Sequence, residues 1–583
     1  MSDLRIPHHK RTFMYGAAIL SAAGILIKIL GAAFRIPLAN LIGDEGMGYY
    51  NAVYPVYTLL IVVATTGVPI AISRLVAEHH SDGDNAGANR IIKVALVLMG
   101  VIGFLFFCIL FFGARAITSS LKDLSDAVYA MQAIAPALIF VPIMASLRGY
   151  FQGMQNMKPT AFSQVTEQAF RVVVGLLLAF LLIKEGKEMA AAGGTFGATA
   201  GAVAGLAALI VIYWRSRKEV TYRERREESR RVREGGRRES VGFTINRIAI
   251  IAVPITIGAA IISVMYLIDM FVVPARLSYA GFSPVEVRSM YGQLTGFAEP
   301  ITNLPKVLTQ AIAISMVPTI VRAWKEKDKD FLHYNITLGL RFAIIIGLPC
   351  TVGLMVLSEP VMLLLYPLQI EGAAGAAPAL FIFAIGIVFL SSIDALTGTL
   401  QGVGKQMIPF INITIGAVCK FLVTFMLVGL PAVNIKGAAV GTVIAFGVAT
   451  ALNYRAVVTY TGVRFEPGLT FIRPLISALV MGGVAAVVYY SIQAAIGSSA
   501  TSLTQMAELA KLASEQLHRE MTGAILSNAL ATIAAILLGI IVYFIMLFAS
   551  RSIRPEELRL LPKGEQIYDL YNKITRRKPR NKK

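Results

Sequence analysis

LRGYFQG at residues 147–153 and LTGTLQG at residues 396–402 are two copies of one motif, 249 residues apart. Each copy ends an apolar segment and is followed by a short polar turn, a proline and another apolar segment. That second segment carries a base at the same offset, Arg171 after the first copy and Lys420 after the second. Repeats of this kind place a substrate site between two halves in many secondary transporters. The motif therefore predicts a duplicated membrane bundle and makes transport the first hypothesis.

A second pattern, Gly-Ala-x-x-Gly, repeats at residues 197–201 and 437–441. The two motif copies end the fourth and the tenth predicted helices, so these two helices correspond to each other in the repeat. Six intervening crossings are an even number, so we expect both halves to have the same orientation, with a pseudo-two-fold axis along the membrane normal. This organisation predicts an N-terminal lobe, a basic linker, a C-terminal lobe, two further helices with an amphipathic outer loop, and a basic tail, at residues 1–214, 215–241, 242–462, 463–550 and 551–583.

The composition excludes a water-soluble globular protein. Of 583 residues, 56% are apolar and only 15% are charged, and several apolar runs exceed the length needed to cross a bilayer. We predict an all-α integral membrane protein of about fourteen transmembrane helices, the first at residues 13–41 and the eighth at 288–321. Residues 503–520 have apolar positions three and four apart and predict either an amphipathic surface helix or a helical loop packed on the bundle.

The net charge of +20 is predicted to orient the chain rather than to bind nucleic acid. With both termini in the cytoplasm, 39 lysines and arginines fall in cytoplasmic segments and 9 in outer loops. Such an excess in loops flanking a membrane is the positive-inside pattern. The basic linker and tail are expected to be solvated and to attract anionic membrane lipids.

The first helix carries a basic stripe. Gly24, Lys28, Gly31 and Arg35 are spaced four, three and four residues apart, which places them on one helical face with the two bases about 10 Å apart along the axis. A diphosphate would accept paired bonds from the arginine and point-charge contacts from the lysine. The stripe therefore indicates a site for an anionic ligand, with salt bridges to other helices as the structural alternative.

Other ionisable residues in predicted spans are candidates for the same cavity, because a charge in a membrane helix needs a partner or water. Glu299, Asn303 and Lys306 are predicted to share one face of the eighth helix. Glu167 and Arg171 are four residues apart on the fifth helix and are interpreted first as a mutual pair and second as cavity residues.

Two acids in the second lobe, Asp269 and Asp394, are possible coupling sites. A buried carboxylate can hold Na⁺ or exchange H⁺, and either acid could instead be neutralised by Lys306, Arg341 or Lys420.

No catalytic constellation is evident in the sequence. The loops are short, and the three cysteines lie in apolar segments without the spacing of a metal site or a disulfide framework. The glycine motifs lie within predicted helices, which excludes a phosphate-binding loop between a strand and a helix. We predict that the chain is not an enzyme and needs no metal or organic cofactor. Movement of a substrate would then use a Na⁺ or H⁺ gradient, the membrane potential or the substrate gradient.

The segment KILGAAFR at residues 28–35, followed by GDEGMGYY at residues 43–50, resembles the polysaccharide-exporter branch of the multidrug, oligosaccharidyl-lipid and polysaccharide flippase superfamily. The chain looks most similar to the stage V sporulation protein B group, which is related to MurJ-like lipid II flippases. The resemblance covers about residues 12 to 460. It implies two six-helix lobes around a central V-shaped cavity, and two additional helices that form a groove for a lipid tail.

The resemblance also implies a substrate and its binding residues. The substrate would be an undecaprenyl-diphosphate-linked saccharide, lipid II, moved across the bacterial cytoplasmic membrane by a monomer. The two basic positions of the family's first helix correspond to Lys28 and Arg35. The arginine that lipid II flippases carry in the second helix has no counterpart here, and the one in the eighth helix is absent around Thr295, which leaves Lys306 as the nearest base.

The competing hypotheses are a cation-coupled multidrug exporter of the same architecture, an exporter of another lipid-linked polysaccharide, and a membrane-embedded glycosyltransferase. An exporter of organic cations needs acids and aromatic rings at its site, whereas Lys28, Arg35, Arg171 and Lys306 favour anions. A transferase needs a base that activates the acceptor and usually a substantial loop, and neither is apparent.

Overall fold

The computed structural model describes residues 8–82, 84–233, 240–303, 305–495 and 515–552. Within these ranges the regular secondary structure is all helical, which confirms the all-α prediction. Most of the predicted outer loop at 503–520 and of the tail at 551–583 lies outside the described residues. The helices are α1 His8–Thr65, α2 Gly67–Ser81, α3 Asn85–Ser119, α4 Ala127–Ile134, α5 Ala137–Gly153, α6 Lys158–Leu182, α7 Lys187–Arg233, α8 Val241–Tyr279, α9 Pro284–Gly292, α10 Glu299–Thr302, α11 Lys306–Glu326, α12 Lys329–Val356, α13 Ser358–Leu365, α14 Ile370–Gly402, α15 Met407–Val428, α16 Lys436–Thr461, α17 Arg473–Ala495 and α18 Glu515–Ala549.

Twelve helical stretches among the described residues are long and apolar enough to cross a membrane. The first, Ala22–Ser81, has 60 residues, roughly 90 Å of helix, which is enough for two crossings. Its backbone is interrupted at Gly43, whose φ of 72° joins two helices within α1. The count of fourteen crossings stays a prediction, whereas a multi-pass membrane protein is shown.

The predicted eighth helix at 288–321 is wrong as one continuous helix. The chain instead forms α9, a π-helix at Gln293–Ala298, α10 and α11, and no helix joins Thr302 to Lys306. Proline supplies the physical reason, because it donates no backbone hydrogen bond and clashes with the preceding turn. Pro300 follows the π-helix and Pro305 precedes α11. A second π-helix, Gly468–Ile472, also ends two residues before a proline.

The sixth predicted helix, 194–214, extends further than expected. Its counterpart α7 begins at Lys187 and continues to Arg233, so much of the predicted linker is helical. The boundaries of the predicted lobes stay a prediction.

The helices form two compact units. The first contains residues 1–300, 365–379 and 413–445. Within it, α1 packs against α6, α7, α8 and α9, and α6 packs along α7. Its apolar core includes Ile72, Leu75 and Ile91 between α2 and α3. The outward face of α3 is also apolar: Val97 and Phe112 are 69% and 75% exposed, as expected for a surface that contacts lipid.

The second unit contains residues 301–364, 380–412 and 446–583. Its core is built from α11, α12, the C-terminal half of α14, α17 and α18, with Ile320, Ile336 and Leu400 fully buried. The Tyr543 hydroxyl of α18 donates to the Ile345 carbonyl of α12 at 2.7 Å. This bond satisfies a polar group that would otherwise be buried without a partner.

Candidate anion site

Arg35 is anchored between the two arms of α1 and the π-helix. Its Nη2 donates to Asn51 Oδ1 at 2.8 Å and to the Thr295 carbonyl at 2.7 Å. Asn51 lies beyond the Gly43 interruption, so the backbone break is what brings it back to Arg35. The Nε of Arg35 is buried and has no hydrogen-bond partner among the described residues. The guanidinium is therefore held in place through Nη2, and Nε is the donor that remains for a ligand.

Lys28 lies two turns before Arg35 on the same uninterrupted part of α1 and is exposed. The space beside it is open, because a Cβ at Gly24 would meet no atom within 4 Å. A Cβ at Gly31 would meet only Gln168 Nε2, at 3.7 Å. The spacing of the predicted basic stripe is thus present in the helix, with an exposed lysine at one end and an anchored arginine at the other.

The backbone break at Gly43 is itself held by a polar network with α9, the π-helix that follows it and the start of α7. Glu45 pairs with Arg288 at 2.8 Å and with Lys187 at 3.0 Å. Asp44 accepts hydrogen bonds from Gln293 at 2.8 Å and from the Ser289 hydroxyl. These contacts explain the first residues of the GDEGMGYY segment: they fix the geometry that places Asn51 beside Arg35.

Asp269 and Lys420 form a buried ion pair between α8 and α15. Lys420 Nζ lies 2.5 Å from Asp269 Oδ2 and also donates to the Met265 carbonyl at 3.3 Å. Their side chains are 9% and 3% exposed. Of the three bases considered for Asp269, the structure selects Lys420. Glu299 interacts electrostatically with this pair and with Arg35, so it belongs to the same polar region.

The second unit contains three of the predicted site residues, Asn303, Lys306 and Asp394. Asp394 accepts a hydrogen bond from the Thr309 hydroxyl at 3.0 Å and interacts with the charge of Lys306. Asn303 is exposed and precedes the start of α11. Because the helix is interrupted between Thr302 and Lys306, the expectation that Glu299, Asn303 and Lys306 form one helical stripe is wrong.

Arg171 forms the predicted pair with Glu167, at 3.4 Å. The same carboxylate also binds Arg148 at 2.9 Å, and Arg148 Nε donates to the Ser163 hydroxyl at 2.9 Å. Arg148 is not among the site residues expected from the sequence. Its position inside the repeated motif, where the second copy has Thr397, was the available signal.

Three tyrosines link Arg35 to Arg171. Tyr50, Tyr54 and Tyr57 follow one another along α1, with ring centroids 4.8 Å and 6.1 Å apart. The Tyr50 and Tyr54 hydroxyls are hydrogen-bonded at 2.6 Å, and Tyr50 lies within range of the charges of both Arg35 and Arg171. This aromatic row was not identified from the sequence, although its spacing of four and three residues is a helical face.

The described residues contain no group of three or more His, Cys, Asp or Glu side chains arranged to hold a metal ion. What they bring together in the first unit is a set of guanidinium and ammonium groups, with acids that neutralise only part of the charge. Such a set can bind an anion and hold it by charge-assisted hydrogen bonds.

Comparison with known proteins supports a membrane transporter. Residues 13–324 match the family described as polysaccharide biosynthesis protein. The chain is 30% identical over 444 residues to stage V sporulation protein B of Bacillus subtilis (strain 168), covering 76% of this chain and 83% of that protein. It is 28% identical over 466 residues to the lipid II flippase MurJ of the same organism, covering 76% and 81% of the two chains.

Solved structures show the same fold at low sequence identity. A lipid II flippase MurJ in an inward closed conformation aligns with a TM-score of 0.64 at 16% identity, covering 91% of this chain and 98% of that one. A multidrug resistance MATE family transporter of the MOP superfamily, in an inward-facing conformation, aligns with a TM-score of 0.61 at 14% identity, covering 75% and 94%. The family resemblance and the fold predicted from the sequence are confirmed.

Proposed function

Because the chain belongs to the family of polysaccharide biosynthesis proteins, we propose that it is a flippase. Its substrate is an undecaprenyl-diphosphate-linked cell-wall precursor, lipid II, which it moves across the cytoplasmic membrane by alternating access. Like its flippase relatives, it is a transporter and not an enzyme. The names of the relatives support a lipid-linked substrate, and the identification of lipid II is our proposal.

The observation that carries the proposal is the state of Arg35. Its guanidinium is oriented by Asn51 and Thr295, yet its buried Nε has no partner among the described residues. An unsatisfied buried donor costs about 1–3 kcal/mol, which a ligand oxygen would recover. Lys28, two turns away along α1, supplies the second positive charge for a diphosphate. A substrate bound here would also compete with the Thr295 carbonyl for the guanidinium, which gives the π-helix a direct means of sensing the head group.

The multidrug exporter alternative has the fold in its favour, because a MATE transporter aligns well with this chain. The charge of the site argues against it. Lys28 and Arg35 would repel an organic cation. The negative charge of Glu299 would not attract one strongly, because Arg35 and Lys420 already act on it. We therefore assign an anionic substrate.

We propose that the energy comes from a Na⁺ or H⁺ gradient acting at Asp269 or Asp394, or from the membrane potential acting on the anionic head group. Gradient coupling at Asp269 requires the Lys420 pair to open during the cycle, since Lys420 occupies one carboxylate oxygen. Flipping by Asp269→Asn and Asp394→Asn in liposomes separates the two sources. Loss of dependence on an ion gradient supports coupling at that acid, and unchanged dependence in both variants assigns the drive to the membrane potential.

The function is tested in a strain depleted of its lipid II flippase. The wild-type gene should restore growth, and Lys28→Ala and Arg35→Ala should not, although both proteins reach the membrane. Each substitution removes a charge-assisted bond of about 1.5–3 kcal/mol, at least tenfold in affinity. Arg35→Lys should restore growth partly, because it keeps the charge and loses the planar fork.

The matched control is Arg322→Ala. Arg322 is an exposed arginine paired with Glu326 one turn away in α11, and its loss should leave growth unchanged. Full rescue by Arg35→Ala at wild-type protein level would show that the basic stripe does not bind the substrate. Failure of the wild-type gene to rescue would exclude lipid II as the substrate.

A further inference from the structure

Arg148, Glu167 and Arg171 form a cluster with more positive than negative charge. Glu167 is the acid shared by both guanidiniums, at 2.9 Å and 3.4 Å. The three side chains are 15%, 16% and 23% exposed, so the cluster is largely enclosed and still reachable. All three residues belong to the first compact unit, on α5 and α6.

Helix packing alone does not account for this charge. One arginine and one glutamate would join α5 to α6 with no excess, and a surplus charge within a membrane span is unfavourable unless a counter-ion or water offsets it. Arg171 Nε is moreover buried without a hydrogen-bond partner among the described residues. The arrangement therefore has one positive charge and one donor that its protein neighbours leave unused.

The cluster is continuous with the Arg35 site through the tyrosine row of α1. Tyr50, Tyr54 and Tyr57 all lie within range of the charge of Arg171, and Tyr50 also lies within range of the charge of Arg35. Tyrosine presents an apolar ring and a hydroxyl on the same side chain. A row of such residues suits a saccharide, which has apolar C–H faces and many hydroxyl groups.

We propose that Arg148, Glu167 and Arg171 form a second subsite, which binds a carboxylate on the head group of the substrate, beyond the diphosphate. The proposal rests on the proposed function and names a feature of its substrate: an acidic group on the lipid-linked head group. The charges of the two sites match the two parts of this substrate. The two bases on α1 would bind the diphosphate, and the cluster, with a net charge of one positive unit, would bind a monoanion. A guanidinium is suited to a carboxylate because its N–H groups match the two oxygens. Glu167 holds both arginines in place and sets the net charge.

The experiment compares two lipids that differ in one group. Full-length protein in liposomes is given lipid II in which one carboxylate of the peptide is free or converted to an amide, and the ratio of the two flipping rates is measured. The wild-type protein should favour the acidic lipid. Arg171→Gln removes the surplus charge and should lower the ratio by roughly tenfold. Glu167→Gln increases the surplus and should raise the ratio.

Opposite shifts from neighbouring substitutions distinguish binding from structural damage, which would slow both lipids together. Arg322→Gln is the control and should leave the ratio unchanged. If Arg171→Gln does not fold, the higher rate ratio expected for Glu167→Gln still tests the subsite. A ratio that none of these variants changes, or a wild-type protein with no preference, would overturn the subsite, while flipping of the amidated lipid would uphold the proposed function. A wild-type protein that flips neither lipid would overturn the proposed function and this subsite together.

Discussion

In the first copy of the repeated motif, α5 ends at Gly153, and Gly149 lies against the backbone of Pro69 in α2. In the second copy, α14 ends at Gly402, and Gly398 lies against the Ala313 carbonyl of α11, which a Cβ would meet at 3.0 Å. Both copies thus end a helix at the last glycine of the motif and use an earlier glycine for close packing. Small residues permit this approach between membrane helices.

The helix that follows each copy carries the equivalent base in a different electrostatic environment. Arg171 shares Glu167 with a second arginine and is 23% exposed. Lys420 has Asp269 of another helix and is 3% exposed. The packing of the repeat was kept while its charges diverged. We interpret the first copy as retaining charge for a ligand, and the second as neutralised within the protein.

The largest effect is expected in the thiol labelling of cysteines placed after the two motif copies, which tests the parallel repeat. The turns after the two motif copies should lie on the same side of the membrane, because an even number of crossings separates them. After replacement of the three native cysteines, Asn156→Cys and Lys405→Cys should both resist an impermeant thiol reagent in intact cells. Both positions are exposed. Ser120→Cys, in an outer turn by the same prediction, should react.

A reaction at only one of the two turns would contradict the parallel repeat. A reaction at both, with Ser120→Cys protected, would keep the repeat and reverse the orientation derived from the charge of the loops.

The next largest effect is expected at the buried ion pair of Asp269 and Lys420, whose lysine follows the second copy. Lys420→Met leaves Asp269 buried without its counter-charge, which should lower the free energy of unfolding by about 3–5 kcal/mol. The measurement is denaturant unfolding in detergent micelles. The control is the double variant Asp269→Asn with Lys420→Met, which removes both charges and should recover most of the loss. A single variant as stable as the wild type would show that the pair is not structural.

Parts of this comparison were predictable from sequence. Hydropathy and the repeat predicted helices ending near residues 151 and 401, and the structure ends them one or two residues later, at Gly153 and Gly402. The pair of Glu167 and Arg171 follows from a spacing of four residues within one helix. Local patterns of this kind depend on neighbours along the chain, and a sequence displays them directly.

The remainder depends on contacts between distant segments or on backbone detail. Asp269 and Lys420 are 151 residues apart, and three bases were equally plausible partners. The Thr295 carbonyl reaches Arg35 from 260 residues away. The expected stripe from Glu299 to Lys306 was wrong because it assumed an ideal helix through Pro300 and Pro305. Each of these prolines lacks the backbone donor that a continuous α-helix would need at its position.

An intermediate effect is expected at the second repeated pattern. A Cβ at Gly201 would collide with the Glu167 carbonyl, whereas a Cβ at Gly441 would collide first with the Thr424 hydroxyl. A backbone atom cannot move aside, and a side-chain hydroxyl can rotate. Gly201→Ala should therefore cost about 1–3 kcal/mol of unfolding free energy, and Gly441→Ala less than about 1 kcal/mol. Equal losses would show that the two copies pack equally tightly at these positions.

The smallest effect is expected at Arg171, where the two copies differ most. Arg171→Gln should lower the unfolding free energy by no more than about 1 kcal/mol, because Glu167 keeps the shorter contact with Arg148. The same substitution in an Arg148→Gln background should cost much more, since Glu167 then loses both partners. Such non-additivity in a double-mutant cycle is the signature of a shared carboxylate. If Arg171→Gln alone destabilised the protein as much as Lys420→Met, both bases would be structural, and the first copy would have no charge left to offer a ligand.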